Sequence, residues 1–466
     1  MTLALMKTQA LMKTKAEQQL AENFEKAASS LPGSGWVPIA RRAAFAQLAK
    51  TGLPHRRIEE WKYTDLRARM TEALAPVAPL GHIIDPAALT RAIGPELAAL
   101  DCFRITFVDG RLEGIIPPAP RGCHAGSVAQ ALGETGHDWM LEEFGPRSAA
   151  DTIGVLNTAF STDGAMLRIA DEATIAKPIH LVFLASPGAS GTVAVRNMIK
   201  VGDRAKVVII ESHVAVDDGA RQTNAVTQVH VGQNADVTHI KHFAEGAVSQ
   251  HLSQWNVTLA EAAIYRGFQL TVGSALVRNE THAAFTGPDA KFDLSGAFLG
   301  QGSDHVDTTL VVNHSTPGCE SRELFKGVLA GKARGVFQGK VVVQPIAQKT
   351  DGKQMAQVLM LSEDAEFDSK PELEIYADDV ACGHGSTAAE IDQDMLFYLR
   401  SRGIPSDEAR ALLIESFVGE AIEKIEHEGI RDAMRSVALG WLRALPESES
   451  RTATASKYAK SPARKG

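Results

Sequence analysis

The chain has 466 residues, of which 44% are hydrophobic and 22% charged, and a formal charge of −8. The negative balance argues against nonspecific nucleic-acid binding and for a soluble surface, while the length suits one large repetitive body with appended parts as well as two domains. Four cysteines, Cys102, Cys123, Cys319 and Cys382, stand far apart without a C-x-x-C pair, which excludes a disulfide framework or a self-contained zinc or cluster site and suits a reducing cytosol.

Residues through Lys15 carry lysines and no acid, but Lys7 and Lys13 interrupt the apolar positions, so no secretory h-region is expected. No apolar run reaches bilayer-crossing length, and a soluble, cytoplasmic chain is expected. The spacing of Leu20, Phe24 and Ala27 predicts a helix over Ala16–Ala28, closed by Pro32-Gly33-Ser34-Gly35. A second helix covers about Ile39–Lys50 and stops at Gly52-Leu53-Pro54. Trp61 and Tyr63 then read as packing anchors with satisfied polar tips. Residues 1–102 form an N-terminal helical region in this reading.

From about Phe103 to Tyr376 short β-rich runs take over, beginning at His180, Lys206, Val226, Asp236, Thr308 and Lys340. A turn of the form x-x-Ala-x-apolar recurs at Ala173, Ala205, Ala235, Ala263, Ala290, Ala333 and Ala365, at intervals of 32, 30, 28, 27, 43 and 32 residues. A period near 30 without helices predicts a solenoid, because one coil cannot bury its own apolar face and stacked coils share a core. The small alanine suits an inward corner. A β-sandwich also uses many short strands, but the steady corner spacing favours a right-handed parallel β-helix over residues 103–384. The 43-residue interval, which contains Asn313 to Arg322, reads as an inserted loop or an additional short coil.

Beyond His384 the period becomes helical. Ile391, Met395, Leu396 and Leu399 make a short stripe that Gly403 stops. Ser406 is expected to cap a longer helix whose stripe is Ala409, Leu412, Leu413, Phe417, Ala421 and Ile425. A last helix holds Ala433, Val437, Leu439 and Leu442. Residues 385–445 thus read as a C-terminal helical domain, and 446–466, polar and finally basic, as a disordered tail.

Nucleotide-binding motifs are missing. Gly327 to Lys332 and Gly335 to Lys340 each put three residues between the glycines and lack Ser or Thr after the lysine, so neither is a phosphate loop. There is no G-x-S-x-G elbow and no H-E-x-x-H helix. His239 and His242, three apart on a strand, point to opposite faces. With His230, His251, His282, His305 and His314 they read as exposed strand histidines. Asp289, Asp293, Asp304 and Asp307 could supply a carboxylate pair of the glycan-cleaving kind, and read more simply as solvated loop acids. Cys382 and His384 differ, because glycines flank the His and the segment reads as a turn that can approach a partner or a metal. Thiolate and imidazole suit soft iron centres. Two ligands cannot complete a cluster, so any such site must borrow ligands from another chain. The plain alternative is a packed Cys and a His that only hydrogen-bonds to a partner.

Three segments resemble the SufB/SufD family of the SUF iron–sulfur cluster assembly machine. They are Glu59-x-Trp61-Lys62-Tyr63-Thr64-x-Leu66, Lys349-Thr350-Asp351-x-x-Gln354 running on to Leu361, and Ala377-Asp378-Asp379-Val380-x-Cys382-x-His384-Gly385 with Tyr398-Leu399-Arg400-Ser401-Arg402-Gly403-Ile404 after it. The likeness is weak over residues 50–67 and strong over 310–430. No Cys lies between Gln354 and Ser362, and Gly385 rather than Glu follows His384, which favours the SufD side of the family. The resemblance implies a non-enzymatic scaffold that pairs with SufB through its late coils. His384 and Cys382 are then candidate cluster ligands at that contact. It also implies docking of the ATPase SufC through Tyr398, Arg400, Arg402, Ile404, Leu412, Leu413 and Phe417. No stably bound cofactor is implied, only iron or an Fe–S cluster held transiently in the complex, and no nucleic-acid or membrane partner; a homodimer stays open. Two alternatives are a β-helix polysaccharide lyase or hydrolase, which calls for a secretory signal and paired carboxylates or calcium ligands, and a SufB-like cluster scaffold.

Overall fold

A computed structural model of the protein describes residues 13–78, 84–134 and 139–446; the expected disordered tail lies outside the described residues. Two sheets form its body. One holds, in spatial order, β19 (Ala381–Ala389), β17 (Asp351–Met360), β15 (Glu320–Leu329), β13 (Lys291–Gly300), β11 (Ile264–Val272), β9 (Asp236–Ala244), β7 (Lys206–Ala215), β5 (Ile179–Ala185), β1 (Phe103–Val108) and β2 (Arg111–Leu112). The other holds β18 (Glu366–Ile375), β16 (Arg334–Val343), β14 (His305–His314), β12 (Leu276–Phe285), β10 (Gln250–Leu259), β8 (Arg221–Val231), β6 (Gly191–Val201), β4 (Ala165–Ile169) and β3 (Cys123–Ser127). From β5 onward each strand crosses to the opposite sheet and pairs in parallel one coil later, as in Lys206↔Asp236, Asp236↔Ile264 and Ile264↔Lys291. The result is a parallel β-solenoid with two strands per coil, mainly β and flanked by helices at both ends of the chain.

The space between the sheets is filled by Ile209, Val237, Trp255, Tyr265, Phe292, Phe325 and Phe337. Ala205, Ala235, Ala263 and Ala290 are buried corners leading into β7, β9, β11 and β13. The next two places in this column belong to Cys319 and Thr350: the amide after each corner donates to the corner carbonyl one coil earlier, from Asp236 to Ala205 through to Glu320 to Ala290 and Asp351 to Cys319. Ala333 and Ala365 belong to the opposite corner, entering β16 and β18. The 43-residue interval is therefore no insertion; the alanine motif changes edge of the solenoid. Both edges make the same tight turn, so either can demand a small residue.

Helices cover the two outer faces, and this is why many strands are buried on both sides. α1 (Lys15–Ala27), closed by a Thr14/Glu17 capping box, α2 (Val37–Thr51) and an unforeseen α4 (Thr152–Phe160) pack on Ala194, Val226, Leu252 and Leu276. Phe24 and Phe45 stack there with ring centres 4.3 Å apart. Trp61 is buried as an anchor, with the Arg278 guanidinium 3.9 Å from its ring centre. On the other face lie α3 (Pro86–Ile93), α6 (Ser406–Ile422) and α7 (Glu428–Ala444). Ile414, Val418, Ile422, Ile430, Met434 and Trp441 press on Ile210, Ile240, Phe268, Leu299 and Val328. Of the expected stripe of α6, Ala409, Ala421 and Ile425 are buried and Leu413 and Phe417 partly so, but Leu412 is 43% exposed, because the sheet also takes the Ile414–Val418–Ile422 side of a helix that is apolar on more than one side. Pro405, not Ser406, stands at the N-cap of α6, and no side chain caps it.

The strand histidines are not exposed as expected. His180, His239, His242, His251, His305 and His314 are all buried, with His239 and His242 on opposite faces of β9. Nor is Asp307 a solvated loop acid. It is buried on β14, paired with Arg278 and hydrogen-bonded by the Thr64 hydroxyl. Covered outer faces explain His180, His242, His305 and Asp307, since a polar residue facing away from the interior still meets another element, whereas His239, His251 and His314 face inward among Trp255, Phe243 and Phe285.

Candidate functional site: the open end of the solenoid

Cys382 and His384 do not sit in a turn. They lie in β19, an extended strand in parallel register with β17, where Gly352↔Cys382 and Gln354↔His384 are opposite one another. Neither Gly383 nor Gly385 has positive φ. A Cβ at Gly383 would meet nothing within 4 Å, whereas one at Gly385 would lie 2.6 Å from the Met355 methyl. The Met355 side chain is exposed and can swing aside, so packing demands glycine at neither position.

Register explains the pair. On β17 the inward residues Gln354, Ala356 and Val358 are buried while Lys353 and Met355 are exposed. Cys382 and His384 continue the inward columns, so Phe292–Ser321–Gly352–Cys382 and Leu294–Glu323–Gln354–His384 run along the solenoid. Cys382 is half-buried against the last of the core, together with Phe367 and Val380. His384 is exposed, because no further coil covers this inward-facing position.

Beneath His384 in the same column, Glu323 is buried with neither carboxylate oxygen hydrogen-bonded. Burial pushes its carboxyl up to about 8, helped by the Asp293 charge, so it is a neutral acid at physiological pH. Burial also raises the Cys382 thiol, and the carboxylates of Asp351 and Glu323 add to this. A protonated thiol is a poor ligand until a metal displaces its proton. The imidazole and the thiol are thus the soft donors at this end, with Gln354 standing between His384 and Glu323 in the column.

The two final strands differ as edges. β18 pairs only with β16 and β19 only with β17 among the described residues, so each presents an unpaired side at the same end. β18 carries Asp368, Lys370, Pro371, Glu372 and Glu374, the residues that normally keep an edge single. β19, reading Ala-Cys-Gly-His-Gly-Ser-Thr-Ala-Ala, carries no charged residue and no proline. The contrast was readable in the sequence, but it became informative only when the structure put both strands at an end.

The other expected contact residues divide. On α5 (Gln393–Ser401), Tyr398 is 49% exposed and the Arg402 guanidinium lies 4.4 Å from its ring centre. Arg400 and Arg402 are exposed and Ile404 is half-buried. Beside them Phe397, 72% exposed, and Met395 extend an apolar surface that the helical stripe did not anticipate; Leu396 and Ile391 alone of that stripe are buried. Leu413 and Phe417 pack partly against the solenoid, with Lys326 Nζ 4.4 Å from the Phe417 ring centre.

Comparison with known proteins agrees with this geometry. The family described as "SUF system FeS cluster assembly, SufBD core domain" matches residues 183–417, and "SufBD protein N-terminal region" matches residues 14–181. The iron–sulfur cluster assembly protein SufD of Escherichia coli is 31% identical over 397 residues, covering 83% of this chain and 88% of its own. An iron–sulfur cluster assembly SufBD family protein of Synechocystis is 30% identical, over 92% and 96% respectively. Protein ABCI7, chloroplastic, of Arabidopsis thaliana is 28% identical over 91% and 90%. The chain belongs to the SufBD family of the SUF iron–sulfur cluster assembly system. That membership replaces the glycan-cleaving alternative. No helix among the described residues is long and apolar enough to cross a membrane.

Proposed function

We propose that this chain is a non-catalytic scaffold subunit that pairs with SufB through the open solenoid end and presents His384, with Cys382 beside it, to a cluster assembled across that contact. The observation that carries the reading is β19: an unprotected, uncharged edge that holds two soft-metal donors on the inward register of an uncovered coil. A strand from a partner would satisfy that edge by main-chain pairing. The incomplete donor set would be completed by the same partner.

The exposed Met395, Phe397, Tyr398 and Leu412, with Arg400 and Arg402 beside them, form the surface on which the ATPase SufC docks. At this end of the solenoid, iron or the nascent cluster is cargo of the complex. The test is reconstitution with SufB and SufC using His384→Ala. The complex should assemble while iron and acid-labile sulfide fall. Unchanged loading would sink the cluster role, and failed assembly would make His384 a contact residue.

A further inference from the structure

A second group of donors lies inside the solenoid, on the earlier coils β7 to β10. Inward positions that elsewhere hold aliphatics here hold Glu211 and His213 on β7 and His239 and Lys241 on β9, all buried. Glu211 is saturated as an acceptor. His213 Nε2 lies 2.7 Å from it, Lys241 Nζ 3.1 Å and the Thr227 hydroxyl 2.9 Å. The buried Lys241 ammonium is ion-paired with this carboxylate. An ionised Glu211 can only accept, so His213 Nε2–H donates and Nδ1 keeps its lone pair. That Nδ1 is buried and has no partner.

His251 repeats the arrangement at the β9–β10 corner. Its Nδ1 lies 2.8 Å from Glu245 Oε2, and the other Glu245 oxygen accepts from Thr223 at 3.0 Å. His251 Nε2 is buried without a partner, but Glu245 lies on the Nδ1 side of the ring, so the nitrogen that can share an ion with Glu245 is Nδ1, which would exchange its hydrogen bond for the metal. The His213 and His251 rings stand edge to face at 4.9 Å, with His213 stacked between the Phe183 and Phe243 rings and His251 edge-on to Phe243. One donor atom each from His213, Glu245 and His251 falls within 4.8 Å of the others. Among the described residues Lys241 is the one ammonium paired within this group of two carboxylates, so a cation between the imidazoles would offset the remaining charge. A cavity lined by Asp109, Val193, Arg221 and Thr223 reaches His213 and Glu245, leaving a side of the group open.

We propose that His213, Glu245 and His251 bind one divalent first-row transition ion, of the Zn²⁺ or Fe²⁺ type, with Glu211 fixing the His213 tautomer from outside the coordination sphere. Two imidazoles and one carboxylate are the wrong donors for Mg²⁺ or Ca²⁺, which take oxygen. The open side faces the cavity and admits water as a further ligand. This site does not depend on the role assigned to His384.

The full-length chain, stripped of metal under anaerobic conditions, would be titrated with Co²⁺ as a spectroscopic stand-in, then with Zn²⁺ and Fe²⁺, and also refolded in their presence. One equivalent should bind, raise the melting temperature and give ligand-field bands of a nitrogen–oxygen site, with Mg²⁺ inert. His384→Ala should leave this equivalent in place. Glu245→Gln and His251→Gln should each weaken it at least ~10-fold, with circular dichroism confirming the fold. Because either variant could unfold, the wild-type spectrum and melting shift test the site independently. The proposal is overturned by no stoichiometric uptake after refolding, by binding that persists in the double variant His213→Gln/His251→Gln, or by binding lost with His384→Ala.

Discussion

Glu323 offers a quantitative test of how the solenoid end is built. Its carboxyl is buried, unbonded, and pushed from an ordinary 4.5 up to about 8. An acid whose folded value is raised binds more protons in the native state than in the unfolded chain between those two values. Stability therefore falls as pH rises from about 4.5 to about 8 and is flat on either side as far as this group is concerned. At about 1.4 kcal/mol for each pH unit, the cost has a ceiling on the order of 5 kcal/mol. Opening of the end coil to solvate the carboxylate would reduce it. Glu323→Gln keeps the shape and removes the titration. Urea unfolding of both proteins from pH 5 to 9, followed by tryptophan fluorescence, should show the variant gaining on the wild type through this window and levelling off above about pH 8. Parallel curves would refute the claim that Glu323 is a neutral buried acid.

Three further outcomes follow from the geometry. Ala235→Leu fills a fully buried corner and should destabilise by about 1–3 kcal/mol, read as a lower denaturant midpoint; an unchanged midpoint would contradict the corner assignment. Gly383→Lys has room for its side chain and should leave the melting temperature of the isolated chain unchanged while placing a charge on the β19 edge; co-purification of SufB should drop, and full recovery would remove β19 from the contact. The double variant Phe397→Ala/Tyr398→Ala should reduce SufC capture at least tenfold in a pull-down without altering the fold, on the hot-spot behaviour of exposed aromatics. Truncation after β19 would not serve, because it would uncover Ile210, Ile240 and Phe268 beneath α6 and α7.

What the amino-acid order determined by itself was whatever repeats locally. Alternating apolar strands, a small residue at each tight corner and a helical period after His384 each follow from the chemistry of a few neighbouring residues, and they sufficed for a solenoid flanked by helices. The corner column was misread past Ala290 because Cys319 and Thr350 fill it while Ala333 and Ala365 mark the opposite edge; half a coil of phase is invisible without pairing partners. The turn expected at Cys382 became a strand because parallel pairing with β17 outweighs the conformational freedom of two glycines. Burial of the histidines was likewise beyond sequence, since it depends on which face of the strand each takes and on helices from distant parts of the chain covering the outer faces. Glu211 meets Lys241 one coil away, and Glu323 lies two coils below His384, only because successive coils are brought into register. Charge in an apolar run is a local fact, but its partner, its protonation and its exposure are properties of the stacked coils.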